Sequence, residues 1–334
     1  MSGIVEIAEK AGVSPATVSR ALRGLHHVNE RTRKKIVEAA QELDYPIRPD
    51  LLPKSESSRT NTIGVIAPFL SRWYFSQSVA GVEQALREAG MDLLLYNFAQ
   101  IDARQRVFQQ KKLIGKVDGL IVMSLRPTDK EFNQILGLGI PVALLGGLDD
   151  RCSSVYIDDV KAAEVATQYL LDMGHRKIAM MVGQRELAFN FEVAVQRKSG
   201  FLNTLKRNGV TFNPAFEVMA DFDNHTSELA MDEFLRRKDL PTAIFCQSDE
   251  MAFGVIKSIR KKGLRMPEDI SVIGFDDHEF AQILGLTTVA QPPRFLGQLA
   301  ASQILAAIEK PESALGKISV PTSLVVRESV LKIT

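Results

Sequence analysis

Cysteine is scarce in this chain. Cys152 and Cys246 are the only two in 334 residues, and they stand far apart with no metal-ligand spacing. That excludes a disulfide framework and a cysteine-based metal site, and it fits free thiols in a reducing compartment. No apolar run reaches membrane-spanning length. The N-terminus lacks the basic segment and apolar stretch of a secretory signal, so a soluble, cytoplasmic protein with no membrane partner is expected. An excess of charge is missing too: 41 Lys and Arg face 40 Asp and Glu, for a net charge of +1. Any contact with nucleic acid must therefore come from a local basic patch. The phosphate-cradling G-x-G-x-x-G and G-x-x-x-x-G-K-[ST] patterns and the G-x-S-x-G nucleophile elbow are all absent. Asp149–Asp150 and Asp276–Asp277 are sequence neighbours whose side chains point opposite ways in extended backbone, which makes no acid/base couple. His26 and His27 adjoin without a third ligand, while His225 and His278 stand alone. His175 lies between a helix and a strand and is expected to face the helix dipole rather than act as a base. These gaps point away from an enzyme, and no cofactor or metal is expected.

What is present begins with residues 4–22. Ile4, Ile7, Ala8 and Ala11 have helical spacing. Gly12 permits a tight turn, Ser14 can cap the next helix, and Pro15 sits at a first helical position where a missing N–H costs nothing. Val18 and Leu22 share one face, leaving Thr17, Ser19 and Arg20 on the other. This is the pattern of a helix-turn-helix whose second helix enters a DNA major groove; the same residues also fit an ordinary amphipathic helix pair. Asn29 is a good cap for a third helix with Ile36, Val37, Ala40 and Leu43 on its apolar face. Arg31, Arg33, Lys34 and Lys35 near its start are either a solvated face or phosphate contacts. Residues 45–62 then carry Pro46, Pro49, Pro53 and a Ser-rich run, which reads as a linker.

From Thr62 onward strands and helices alternate. Strands are expected at Thr62–Ala67, Asp92–Asn97, Gly119–Met123, Pro141–Leu145, Ile178–Val182, Glu217–Ala220, Ala243–Cys246 and Ser271–Gly274. Helices are expected at Ser76–Ala89, 101–114, Glu131–Leu138, Asp159–Met173, Arg197–Asn208, Ser227–Arg237 and Glu250–Lys262. Such alternation gives parallel sheets covered by helices, an α/β fold. Eight or nine strands are many for one open sheet, so two lobes of about 110 to 130 residues each are expected. Ligands in such lobes bind beyond the carboxyl ends of the strands, in the cleft between lobes. The loops there offer Phe69, Ser71, Arg72, Trp73, Tyr74 and Phe75, then Ser124 and Arg126, residues 185–191, Gln247, Ser248 and Asp249, and Asp276 and Asp277. Aromatic faces among Arg, Asp and Gln suit a small polyhydroxy or heterocyclic ligand. Trp73, the only tryptophan, either lines this cleft or packs against its own helix.

The chain resembles the LacI/GalR family of transcriptional repressors along nearly its whole length. The headpiece match is Ala11-Gly12-Val13-Ser14 with Thr17-Val18-Ser19-Arg20. The body match includes Arg59-Thr60-Asn61-Thr62-Ile63-Gly64-Val65, Val117-Asp118-Gly119-Leu120-Ile121, Gly139-Ile140-Pro141-Val142, Ile157-Asp158-Asp159 and Met173-Gly174-His175-Arg176-Lys177-Ile178. Ser271-Val272-Ile273-Gly274-Phe275-Asp276-Asp277, Leu286-Thr287-Thr288-Val289 and Leu324-Val325-Val326-Arg327-Glu328-Ser329 complete it. The resemblance implies a helix-turn-helix headpiece at 1–45, a hinge at 46–61, and a two-lobed periplasmic-binding-protein-like core at 62–334. Lobe 1 would span about 62–158 plus 292–320, and lobe 2 about 159–291 plus 321–334. It further implies a homodimer, in some members a tetramer, on a near-palindromic operator, with a small effector between the lobes. Ser14, Pro15, Ala16, Thr17, Ser19, Arg20, Asn29 and Arg31 are the implied DNA-contacting set. Pro15 and Ala16 occupy base-reading positions but offer few hydrogen bonds, so direct readout leans on Arg20. Arg197 and Asp276 match effector-binding positions, Ser248 and Asp249 lie at another, and Gln291 lies in the last crossover. With Phe69, Arg72, Trp73, Tyr74, Phe75, Ser124 and Arg126 they form the expected effector site.

Three departures stand out. Where the family reads Ser-Asn-Pro-Phe-Phe, this chain has Ser71-Arg72-Trp73-Tyr74-Phe75, adding a cation and an indole. Arg72, Arg126 and Arg197 together would favour an anionic sugar derivative, an idea that equal affinity for a neutral sugar and its acid form would sink. The segment from Gly183 to Arg197 looks long. In the hinge, aligning Pro49-Asp50 on the family's Pro-Asn puts Pro53 and Glu56 at its Ala and minor-groove Leu positions. A carboxylate is repelled there, so either Leu51 or Leu52 supplies the wedge or the hinge helix does not form. Two other readings of the chain are a transporter's solute-binding protein, which the missing signal and the helix-turn-helix oppose, and a sugar-acting enzyme, which turnover on a panel of sugars would reveal.

Overall fold

Three short helices open the chain in a computed structural model that describes residues 3–22, 28–43, 45, 59–97, 113, 115–183, 192–311 and 315–333. Leu51 and Leu52 with the rest of hinge residues 46–58, His26 and His27, the expected helix at 101–114 apart from Leu113, and the loop at 185–191 lie outside the described residues. The headpiece helices are α1 (Ile4–Ala11), α2 (Pro15–Leu22) and α3 (Glu30–Glu42). Gly12 ends α1 with φ 65°, in the left-handed region that favours glycine. Ser14 caps α2: its Oγ accepts the Thr17 N–H at 3.2 Å. Asn29 caps α3, accepting the Thr32 N–H at 2.8 Å. Ile7, Ala8, Val18, Ala21, Ile36, Ala39 and Ala40 form a small core among the three helices, and Lys10 pairs with Glu42 across α1 and α3.

The body follows as β1 (Thr62–Ala67), α4 (Trp73–Glu88), β2 (Asp92–Asn97), β3 (Gly119–Met123), α5 (Asp129–Leu136), β4 (Val142–Leu145), β5 (Ser153–Tyr156), α6 (Asp159–Asp172), β6 (Ile178–Gly183) and α7 (Val193–Arg207). Then come β7 (Glu217–Ala220), α8 (Asn224–Phe234), β8 (Ala243–Cys246), α9 (Asp249–Lys261), β9 (Ser271–Asp276), α10 (Glu279–Ile283), β10 (Thr287–Ala290), α11 (Pro293–Glu309), β11 (Lys317–Ser319) and β12 (Ser323–Val325). Two six-stranded sheets result, ordered β11-β5-β4-β3-β1-β2 and β12-β10-β9-β8-β6-β7. All pairings are parallel except that of β12 with β10. The central strands β3, β4, β6, β8 and β9 are buried along their whole length, as helices on both faces require. The chain passes between the sheets three times, after β5, after β10 and after β11, so α11 packs on α4 beside the first sheet while β12 returns to the second. One apolar core runs from Ile63 and Ile121 in the first sheet to Phe245 and Phe275 in the second.

Twelve strands among the described residues replace the eight or nine expected. β5, β10, β11 and β12 are the additions, each only three or four residues long. Helices also start earlier than their apolar faces suggest. α4 begins at Trp73 rather than Ser76, and α7 at Val193 rather than Arg197. α8 begins at Asn224, where Asp223 accepts the Thr226 N–H at 2.8 Å.

Candidate ligand cleft and DNA-reading surface

The carboxyl ends of β1, β3, β4, β6, β8 and β9 face a cleft between the two sheets that encloses about 720 Å³, part of it open to solvent. Nine of the residues singled out from sequence line it: Phe69, Arg72, Tyr74, Phe75, Ser124, Arg197, Ser248, Asp276 and Gln291. Asp159, Glu250, Phe222, Val193, Ile157 and Gly146 join them and were not foreseen. Asp159 and Glu250 each stand in a helix first turn, where an acidic residue reads as a partner for the helix dipole. Nothing local signals that the fold aims them at a cleft.

A polar base is built around Arg197. Its Nε donates to Asp159 Oδ1 at 2.8 Å, its Nη1 donates to the Gln247 carbonyl, and its guanidinium lies 3.4 Å from the centre of the Phe275 ring. The Arg197 and Asp159 side chains are 6% and 10% exposed, so each holds the other's charge away from water. Gln247 secures the frame by accepting the Gly183 N–H at 2.9 Å and donating to the Ala194 carbonyl at 2.8 Å. Asp276 ends β9 with φ 126°, and its Oδ1 accepts from Gln291 Nε2 at 2.6 Å. Burial pushes the Asp276 carboxyl up to about 7 against the pull of Arg197 and Gln291. Ser124, at the end of β3, also has positive φ, 46°. Strain at two strand ends that face one cleft is the kind that surrounding structure sustains at a binding site. Burial raises the Tyr74 hydroxyl to about 12, and Ser124 is its hydrogen-bond partner. Arg72 lies over the Phe69 ring at 4.0 Å.

Three expected ligand contacts lie elsewhere. Trp73 turns its ring onto His278 of the opposite lobe, centroids 5.0 Å apart, and its backbone N–H donates to the Glu250 carboxylate. The start of α4 has no side-chain cap of its own; Glu250 serves it from across the cleft. Trp73 therefore joins the lobes instead of facing ligand. Arg126 reaches outward to Glu192 at the rim. Asp249 is buried behind the cleft, where Oδ1 accepts the Thr288 hydroxyl at 2.7 Å and Oδ2 accepts the His278 N–H at 2.8 Å. One position past the Ser248 cap, it turns to the far side of the helix start and ties β10 to the loop after β9. The expected trio of cations does not converge on one point either: Arg197 carries Asp159, Arg126 carries Glu192, and Arg72 stands beside Glu250. His175 meets Thr242 Oγ1 through Nδ1 at 3.0 Å, and burial lowers its pKa. The ring is thus a neutral bridge between lobe-2 segments, not a charge on the helix dipole.

On the headpiece, Ser14, Pro15, Ala16 and Arg20 are exposed along the start and outer face of α2, with Thr17 and Ser19 half-buried. The Ser14 and Thr17 hydroxyls lie 2.8 Å apart and are engaged with each other, which leaves Arg20 as the long polar side chain of that face. Asn29 and Arg31 are exposed at the start of α3. Among the described residues no group of three or more His, Cys, Asp or Glu side chains can hold a metal, and no helix is long and apolar enough to cross a membrane.

Residues 3–47 match the bacterial regulatory proteins of the lacI family, and residues 167–330 match a periplasmic binding protein-like domain. Over 344 aligned positions, covering 100% of both chains, the sequence is 35% identical to the probable HTH-type transcriptional repressor ExuR of Bacillus subtilis (strain 168). The chain belongs to the LacI family. It is a DNA-binding transcriptional regulator and not an enzyme. Among solved structures, this LacI-family chain is similar to a complex of the transcriptional regulator CelR with cellobiose, at TM-score 0.72 and 28% identity, covering 98% of this chain and 100% of that one. It is likewise similar to the lac repressor dimer bound to operator and the anti-inducer ONPF, at TM-score 0.70 and 27% identity over 99% of each.

Proposed function

We propose that this LacI-family regulator binds a near-palindromic operator as a cytoplasmic homodimer, and that a sugar or sugar derivative between its lobes sets its operator affinity. Residues 1–45 read DNA, 46–61 form the hinge, and 62–334 sense the effector and dimerise. The observation that carries this reading is that both lobes build the cleft. Phe69, Arg72 and Ser124 come from one side and Arg197, Asp276 and Phe222 from the other. A ligand seated there interacts differently with open and closed arrangements, and that difference is the free energy an allosteric effector needs. Aromatic walls around a hydrogen-bonding base suit a polyhydroxy ring, and the cellobiose complex of a relative supports the class. Because each cleft arginine already has a carboxylate neighbour, an uncharged sugar is favoured over its acid form.

Thermal-shift titration of the full chain against matched sugars, sugar acids, sugar phosphates and nucleosides tests the effector class. A bound sugar at a hundred times its Kd adds about 2.7 kcal/mol of stability. No shift with any sugar, or an equal shift with a sugar and its acid, overturns the corresponding part of the reading. On the DNA side, Arg20→Ala is expected to weaken operator binding by about ten- to a hundredfold and non-specific binding much less. A uniform loss on all sequences makes Arg20 a phosphate contact.

A further inference from the structure

Trp73 carries the only indole in the chain, and the described residues that line the cleft include neither Trp73 nor His278. We propose that Trp73, His278 and Glu250 form a latch between the lobes whose strength sets how firmly the chain holds its operator. The latch rests on the reading above that lobe arrangement governs operator affinity. It adds to that reading a control at Trp73 and His278, outside the walls of the cleft.

Three consecutive residues at the start of α9 build the second-lobe half. Successive helix residues point about 100° apart, so they serve three directions. Ser248 caps its own helix, accepting the Met251 N–H at 3.2 Å, and lines the cleft. Asp249 turns behind it and accepts the His278 N–H at 2.8 Å, which fixes the loop after β9. Glu250 reaches across, and its carboxylate accepts the Trp73 N–H at the otherwise uncapped start of α4. The α4 dipole favours an anion at that end as well.

His278 is seated before Trp73 meets it. Its Nδ1 accepts the Phe280 N–H at 3.0 Å and so caps α10. The rings of Trp73, Phe253 and Phe280 have centroids 5.0, 5.1 and 5.0 Å from that of His278. Of the three, only Trp73 comes from the first lobe. A ring held by its own lobe on two sides loses little freedom when the third side is covered.

The latch is also built to let go. Trp73 Nε1 is buried with no hydrogen-bond partner among the described residues. An unpaired buried donor costs its lost hydration, and parting the lobes returns it to water. The ring contact and the Glu250 bond favour the joined arrangement, while the indole N–H opposes it. These contributions are of the same order, which keeps the joint reversible.

The full chain without added ligand tests this by two readouts. One is acrylamide quenching of its single tryptophan, and the other is affinity for a duplex that the wild type selects from a random pool. His278→Asn removes the ring and keeps a capping oxygen for the Phe280 N–H. It should raise quenching of Trp73 by about threefold or more, and Glu250→Gln should raise it by a smaller factor. Trp73→Ala and His278→Asn should each shift operator affinity by about three- to tenfold in the same direction. The double variant should go no further than the larger single one, because the two side chains act as a unit. Trp73→Phe keeps a ring without the unpaired N–H, so it should hold wild-type affinity or move it the opposite way. Trp73 is half-buried, and circular dichroism establishes that each variant is folded. Quenching in the wild type equal to that in His278→Asn overturns the latch. Unchanged operator affinity in both single variants, or additive shifts in the double one, overturns its role in DNA binding. No sugar enters these measurements, so failure of every sugar to bind removes the effector reading without deciding this one.

Discussion

Asp276→Asn should make the protein more resistant to unfolding above pH 7 and deaf to its effector. The carboxyl is buried, and its folded value of about 7 stands against an ordinary 3.8. Between those two values the folded state holds the proton more tightly than the unfolded chain. Stability from this group is therefore fully present below about pH 4, falls as pH rises, and is lost above about pH 7. At about 1.4 kcal/mol per pH unit the penalty reaches roughly 4 kcal/mol at pH 8. Asparagine resembles the neutral acid and keeps an oxygen for Gln291 Nε2, so the variant loses this pH dependence. Burial lowers the pKa of His175 and His278, which acts in the opposite sense by reducing stability as pH falls below about 6.5. Those contributions cancel in the comparison of variant with wild type. Urea midpoints should converge as pH falls towards and below 3.8 and separate at pH 8 in favour of the variant. Equal midpoints at pH 8 would show that Asp276 carries no buried charge. The same substitution removes the anionic acceptor facing the cleft, and the operator complex should then ignore ligands that release or tighten the wild type.

What could be seen in the sequence was set by range. Central strands such as Ile63-Gly64-Val65-Ile66 are apolar because both faces are covered, and their run is a local signal. Ser153-Ser154-Val155-Tyr156 shows no such run. Its polar groups find a partner far away in the chain: Ser153 Oγ accepts the Gly316 N–H, and the Ser154 N–H donates to the Gly316 carbonyl at 2.7 Å. The cleft itself was legible, since strands in parallel α/β lobes point their carboxyl ends at it. Which side chains stay free to meet a ligand was not. Arg126 and Arg197 look alike in sequence, and their roles separate only when Glu192 and Asp159 arrive from other segments. Trp73, in an aromatic run that reads as a binding loop, became a lobe contact because α4 starts there and His278 waits across the gap.

Gly81→Ala should unfold the first lobe far more than its chemistry suggests. In an isolated helix the change stabilises by up to about 1 kcal/mol. In this protein α4 and α11 cross with their backbones almost touching. A Cβ at Gly81 would sit 1.9 Å from the Arg294 carbonyl oxygen, and one at Gly297 would sit 2.1 Å from that of Ser78. Neither obstacle is the end of a flexible side chain, so the helices themselves must part, losing packing around Val82, Leu296 and Ala300. A loss of about 3 kcal/mol or more is expected. The damage should also reach function. α4 carries Trp73, Tyr74 and Phe75 into the cleft region at its start, and α11 begins two residues after Gln291. Splaying this pair moves a cleft wall and one of the three crossovers together. A Gly81→Ala protein that remains folded at low temperature should bind effector more weakly and show a shifted operator response, with DNA contacts of the headpiece unchanged. A higher melting temperature for Gly81→Ala would mean that helix propensity wins, and the close crossing of α4 and α11 would be wrong.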